Sequence, residues 1–265
     1  MAQFNYSTKE IIAKLVYYGP SLGGKTTNLQ VLHKILDPTS RGNLFSLETE
    51  ADRTLFFDLL PINLGIMKGI ELRLKVYTVP GQVKYNSTRR MVLTGADGIV
   101  FVADSEVSRY NDNIESFQNL IENLAVNSIN IHEIPLVLQY NKRDLPDILS
   151  VETLEKKLNF RNVPSFESVA IEGKGVLESF MGILKGIMIH FAEKYHLAKN
   201  EAGIARVIEQ VEKNLMEHVQ KGQKIQKSVI QPQGSQVHPE PKEPKLKLVN
   251  PETDLSHKPP QEFRQ

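Results

Sequence analysis

Apolar residues along the chain fall into two alternating rhythms. The runs "IIAKLVYY" (11–18), "GIVFVAD" (98–104) and "IPLVLQYNK" (134–142) are short and nearly continuous, as in strands covered on both faces. "ELRLKVYTV" (71–79) alternates with period two, the mark of a half-buried strand, and "FESVA" (166–170) reads as one more short strand. Between them, "KTTNLQVLHKIL" (25–36), "IESFQNLIENLAV" (114–126), "SVETLEKKL" (150–158) and "GVLESFMGILKGIMIHFAEKYH" (175–196) carry apolar residues at helical spacing. Asp37-Pro38 stops the first helix, and Ser150 is placed to cap the third. Strand–helix alternation predicts an α/β fold, a mainly parallel sheet with helices on both faces. Ligands in such sheets bind at the carboxyl ends of the strands.

A different pattern closes the chain. "IARVIEQVEKNLMEHV" (204–219) has Ile204, Val207, Ile208, Val211 and Leu215 on one helical stripe. Beyond residue 220 the composition turns to Gln, Lys and Pro without periodicity, which cannot offset ordering entropy. The expected organisation is a main domain over 1–198, an added amphipathic helix over 199–220 and a disordered tail over 221–265. The helix has two readings: packed on the domain, or an arm for a partner's groove.

Composition narrows the function. Lys plus Arg total 32 against 31 Asp plus Glu, which gives no support to nucleic-acid binding. The absence of cysteine excludes disulfides, thiolate metal sites, cysteine nucleophiles and thiol-linked lipids, and the Met-Ala start lacks the glycine needed for myristoylation. No apolar run approaches the roughly 20 residues of a membrane span. A cytoplasmic protein without a direct lipid anchor is expected.

The chemistry lies at strand ends. "GPSLGGKTT" follows the first strand and opens the first helix, and Gly19, Gly24, Lys25 and Thr26 fit the phosphate-loop spacing. Its glycines let backbone N–H groups converge on phosphate oxygens at a helix N-terminus; Gly23 and Thr27 complete the candidate contacts. Lys25 reaches the outer phosphates and Thr26 is the candidate Mg²⁺ ligand. "NKRD" (141–144) closes a buried strand. The Asp144 carboxylate can accept from both N–H groups on the edge of guanine but finds no such pair on adenine; Asn141 would tie this loop to the phosphate loop, and the Lys142 stem would cover the base. This selects GTP/GDP over ATP. In "SVAIEGKG" (168–175) the Ala170 N–H is the candidate for the guanine carbonyl.

"ETEADRTLFFDLLP" (48–61) supplies Thr54, whose hydroxyl would bind Mg²⁺ and whose N–H would sense the γ-phosphate, and Arg53, a transition-state charge in cis. "TVPGQ" (78–82) adds Gly81 and Gln82 but has Thr78 where D-x-x-G-Q would place a metal-holding aspartate. A hairpin centred near Met67 places Asp58 opposite Val76 and diagonal to Thr78 on one sheet face, so Asp58 is the candidate substitute, acting through water, with Asp52 as the alternative. Tyr85 and the Arg89-Arg90 pair are candidate partner anchors, with ordinary surface roles as the other reading.

Together "VYYGPSLGGKTTNLQ", "DRTLFFDLLP", "YTVPGQVKYNSTRR", "GADGIVFVADS" and "QYNKRDLP" resemble the MglA family of bacterial Ras-like GTPases, over about residues 4–195. The resemblance implies a Ras-like G domain of the P-loop class and a GTP-dependent switch in cell polarity or gliding motility. It implies a Roadblock-type, MglB-like activating partner, further polarity or motility effectors, and recruitment to cell poles through partners. Arg53 would be the family's intrinsic arginine and Gln82 the glutamine that orients the attacking water; with Lys25 they form the candidate catalytic set. Ser21 departs from the glycine common there and predicts slow intrinsic hydrolysis. The extension after about residue 198 is a second departure. A nucleotide-locked scaffold with negligible turnover is the alternative.

Overall fold

The computed structural model describes residues 3–5, 8–47, 57–67, 69–195 and 200–230. β2 (Glu10–Tyr18) is the central strand, flanked in parallel by β5 (Ile70–Thr78) and β6 (Gly98–Asp104). β7 (Leu136–Asn141) and β8 (Ser165–Glu167) continue the parallel part. On the other side β4 (Phe57–Met67) and β3 (Phe45–Leu47) form an antiparallel edge, and β1 (Gln3–Asn5) pairs antiparallel with the start of β2. β6 and β7 are buried at every residue, which explains their unbroken apolar runs; β5 is half-buried and alternates.

Helices cover both faces. α1 (Lys25–Ile35), α5 (Val176–Lys194) and α6 (Glu201–Ile230) bury Leu29, Leu32, Phe180, Ile187, Phe191 and Leu215 in one core. α2 (Asn86–Leu93), α3 (Tyr110–Val126) and α4 (Val151–Leu158) enclose the other, with Leu93, Phe117, Leu120 and Leu154. Ser150 Oγ accepts from the Thr153 N–H at 3.2 Å, the expected cap of α4. The strands β1 and β3 and the helix α2 were not anticipated from the pattern.

Two expectations change. The hairpin register differs by two residues: Leu60, not Asp58, faces Val76. Met67 pairs with Ile70, so the turn sits at Gly69, and an irregularity between Asn63 and Ile66 shifts the ladder again. A two-residue shift preserves the face, so Asp58 still points with Thr78. The C-terminal helix also runs past residue 220 to Ile230, into the stretch read as disordered. Its stripe of Val207, Ile208, Val211, Leu215 and Val219 is buried in the domain core, and its later turns dock on the far end of α1. The Asp37 N–H donates to the His218 carbonyl at 3.1 Å, and a Cβ at Gly222 would lie 2.3 Å from the Ile35 carbonyl oxygen. Tertiary packing supplies what local propensity lacks.

Candidate nucleotide and metal site

The loop between β2 and α1 borders a cleft of about 410 Å³ lined by Gly24 to Thr27, Asp58 and Thr78 to Gly81 among others. Lys25 is buried at the cleft floor and its ammonium donates to the carbonyls of Gly19 at 3.0 Å and Pro20 at 2.6 Å. Burial, reinforced by the nearby Arg89 charge and opposed by Asp58, pushes Lys25 down to about 7. Gly24 is left-handed at φ +101°, and a Cβ there would meet Asn141 Nδ2 at 2.1 Å.

Asp58 is the polar centre of this cleft. Its Oδ2 accepts from Thr26 Oγ1 at 2.6 Å and Thr78 Oγ1 at 2.8 Å, while Oδ1 accepts from Ser46 Oγ at 2.7 Å. Thr78 Oγ1 in turn accepts from the Asp58 N–H at 2.9 Å. A carboxylate and a threonine hydroxyl at the helix start form an all-oxygen donor pair, the type a small hard cation takes while keeping most of its waters. Gly81 closes over the phosphate loop so tightly that a Cβ would lie 2.3 Å from Ser21 Cα. Gln82 follows, exposed, and does not line the cleft. Arg53 and Thr54, with Asp52, lie outside the described residues.

At the adjoining strand ends, Asn141 does tie the loops together: Nδ2 donates to the Gly23 carbonyl at 2.8 Å. The Ala170 N–H, assigned to the base, instead donates to Asn141 Oδ1 at 2.9 Å, and Ser168 Oγ joins it at 3.0 Å. Both loops are thereby locked to one amide. Lys142, at φ +64°, aims its ammonium at Asp104 Oδ2, 2.6 Å away, and the Asp144 carboxylate beyond it is exposed.

Sequence reasoning missed several residues here. Asp104, fully buried, ends β6 and draws in Lys142 and, at 4.0 Å, Arg109; Arg109 also donates to the Ser21 carbonyl at 2.8 Å. The acid terminating an otherwise apolar "GIVFVAD" was its signal. Arg89 is neither a partner anchor nor a surface residue: it is fully buried and donates to the Pro80 and Gly81 carbonyls. Ser46, on the unanticipated β3, gave no signal at all.

A glycine-rich strand–loop–helix, an Asn-Lys-x-Asp loop at a neighbouring strand end and a parallel sheet with an antiparallel edge define a P-loop, Ras-like domain. Residues 5–187 match the Arf, or ADP-ribosylation factor, family. The chain is 49% identical over 188 residues to the mutual gliding-motility protein MglA of Myxococcus xanthus (strain DK1622), a match covering 71% of this chain and 96% of that protein. The chain belongs to the ADP-ribosylation factor family of small GTPases and, within it, to the MglA type. The family match ends before α6.

Proposed function

We propose that this protein binds GTP and GDP with Mg²⁺, hydrolyses GTP, and acts as a switch in cell polarity or gliding motility through nucleotide-dependent partner binding. The observation that carries the reading is the Thr26–Asp58 pair beside the phosphate loop, which combines a metal-type donor set with a phosphate cradle. Gly19, Gly23, Gly24, Lys25, Thr26 and Thr27 would hold the phosphates, and Thr26 with Asp58 would hold Mg²⁺, Asp58 through water. Bound there, the cation would neutralise charge developing on the phosphates. Asn141, Lys142 and Asp144 would read guanine. Gln82 and Arg53 are the proposed water-orienting and charge-stabilising groups, with Thr54 and Gly81 sensing the γ-phosphate. The likeness to MglA supports a motility or polarity role, a Roadblock-type activating partner, further effectors and recruitment of a cytoplasmic protein to cell poles by those partners.

The test is to identify by denaturing extraction the nucleotide that copurifies, then to follow GTP turnover with and without a Roadblock-type protein. Guanine nucleotide and stimulated turnover are expected; adenine nucleotide would overturn the reading. A scaffold with negligible hydrolysis is the second reading, favoured by Ser21 on the phosphate loop and by Thr78 in place of the aspartate of D-x-x-G-Q. It predicts bound guanine nucleotide with no turnover even with the activator.

A further inference from the structure

Arg89 presents an electrostatic problem. It sits in α2 with no exposed surface, and a buried charge is costly unless an opposite charge balances it. Its hydrogen-bond acceptors are all neutral: Nε donates to the Pro80 carbonyl at 2.8 Å, Nη2 to the Gly81 carbonyl and Nη1 to Asn119 Oδ1 at 2.6 Å. The guanidinium also lies over the Tyr18 ring, 5.5 Å from its centre. Among the described residues no carboxylate comes within 4.0 Å of it.

The guanidinium is held rigidly. Asn119 Oδ1 also accepts from the Tyr18 hydroxyl at 2.6 Å and from Asn123 Nδ2 at 3.0 Å, and Asn119 Nδ2 donates to Asn86 Oδ1 at 3.0 Å. This ties α2 to α3. At its other end the clamp grips the Pro80–Gly81 peptide, and Gly81 rests on Ser21 of the phosphate loop. Two buried basic side chains thus flank this junction from different elements, Lys25 on the carbonyls of Gly19 and Pro20 and Arg89 on those of Pro80 and Gly81, an arrangement suited to a ligand with several negative charges.

We propose that Arg89 is a positioning residue of the switch: it fixes the Pro80–Gly81 peptide, and hence Gln82, over the phosphate loop, and its charge favours a nucleoside triphosphate over a diphosphate. This rests on the guanine-nucleotide reading above. It differs from a purely mechanical clamp in requiring the charge, and Asn119→Asp separates the two. That substitution sets a carboxylate beside Nη1, neutralising Arg89 while leaving the guanidinium in place.

The experiment uses the full chain, native and as Arg89→Met, Arg89→Lys and Asn119→Asp. Affinities for fluorescent N-methylanthraniloyl GDP and for the matching non-hydrolysable GTP analogue are measured beside thermal midpoints and single-turnover GTP hydrolysis. Arg89→Met is expected to lose about tenfold or more in the triphosphate-to-diphosphate affinity ratio and in hydrolysis, with Arg89→Lys recovering part of both. Asn119→Asp is expected to lower the same ratio, with a thermal midpoint reduced only by the lost Asn119–Asn86 hydrogen bond. An unchanged ratio in folded Arg89→Met, or equal losses for both nucleotides, overturns the proposal. Should Arg89→Met fail to fold, an unchanged ratio in Asn119→Asp overturns it instead. If the native protein binds neither nucleotide, the guanine-nucleotide reading itself has failed, a result distinct from native binding with an unaltered ratio.

Discussion

Asp58 Oδ2 lies 2.6 Å from Thr26 Oγ1 and accepts from Thr78 Oγ1 as well. The carboxylate that "TVPGQ" lacks on β5 thus stands directly across the ladder on β4, and the threonine in its place serves as that carboxylate's hydrogen-bond partner. On the proposed reading, the metal-holding function has moved one strand sideways.

Asp58→Asn should weaken Mg²⁺-dependent nucleotide retention by about 10–100-fold, the range for removing an outer-sphere metal partner. Nucleotide release followed with and without EDTA checks it. Native and variant should differ in Mg²⁺ and converge in EDTA; equal release in Mg²⁺ would exclude Asp58 from the metal site.

Thr78→Val keeps the side-chain volume but strips Asp58 of a hydroxyl donor and leaves the Asp58 N–H without its acceptor. A loss of roughly 1–3 kcal/mol is expected in chemical denaturation, as for a buried donor left unpartnered. Thr78→Ser should keep most of the stability.

Ser21→Gly should hydrolyse GTP faster, by about tenfold, or ~1.4 kcal/mol of barrier, because it removes a side chain from the phosphate loop where Gln82 must approach. Single-turnover rates with and without an activator measure this. No acceleration in either would remove Ser21 as the cause of slow turnover.

Leu215 is fully buried between α6 and the sheet, and Leu215→Ala should cost about 2–5 kcal/mol in denaturant unfolding. Were α6 a detachable arm, the cost would be near zero.

The α1–α6 junction should be acid-sensitive. Burial first, then the Lys221 charge, lowers His218 from its ordinary 6.5, while Asp37 and Glu217 pull it upward; burial and Arg41 lower His33. Both groups bind protons less readily folded than unfolded. Their contribution is complete above the unfolded value and is lost as pH falls through 6.5 toward the folded values. The thermal midpoint should drop between about pH 7 and 5, and His218→Gln should flatten that slope.

Local chemistry was legible in advance. The phosphate loop and "NKRD" carry their geometry within a few consecutive residues, so Lys25, Thr26 and Asn141 stand where the spacing put them. Asp58 was half-legible: strand parity gives the correct face from sequence, but the position of the turn at Gly69 and the irregularity after Asn63 set the register, and neither has a local signature strong enough to read. Arg89 was illegible because its burial depends on Asn119 and Tyr18, distant in the chain. The "RR" pair looks like surface until α3 is packed on it. The last turns of α6 were misread for the same reason, since their order comes from contact with α1 and not from their composition.

The placement of α6 makes it a brace on both supports of the Thr26–Asp58 pair. α1 carries Thr26 in its first turn and ends beneath His218; β4 begins beside Asp58 and, six residues on, offers the Leu64 carbonyl to Asn214 Nδ2 at 2.9 Å. A helix that contributes no residue to the cleft lining therefore grips the distant ends of the two elements whose near ends form the Thr26–Asp58 contact. Any sliding of β4 against α1 must be shared with it, so the segment past the family match adds stiffness to the spacing between the Thr26 and Asp58 oxygens.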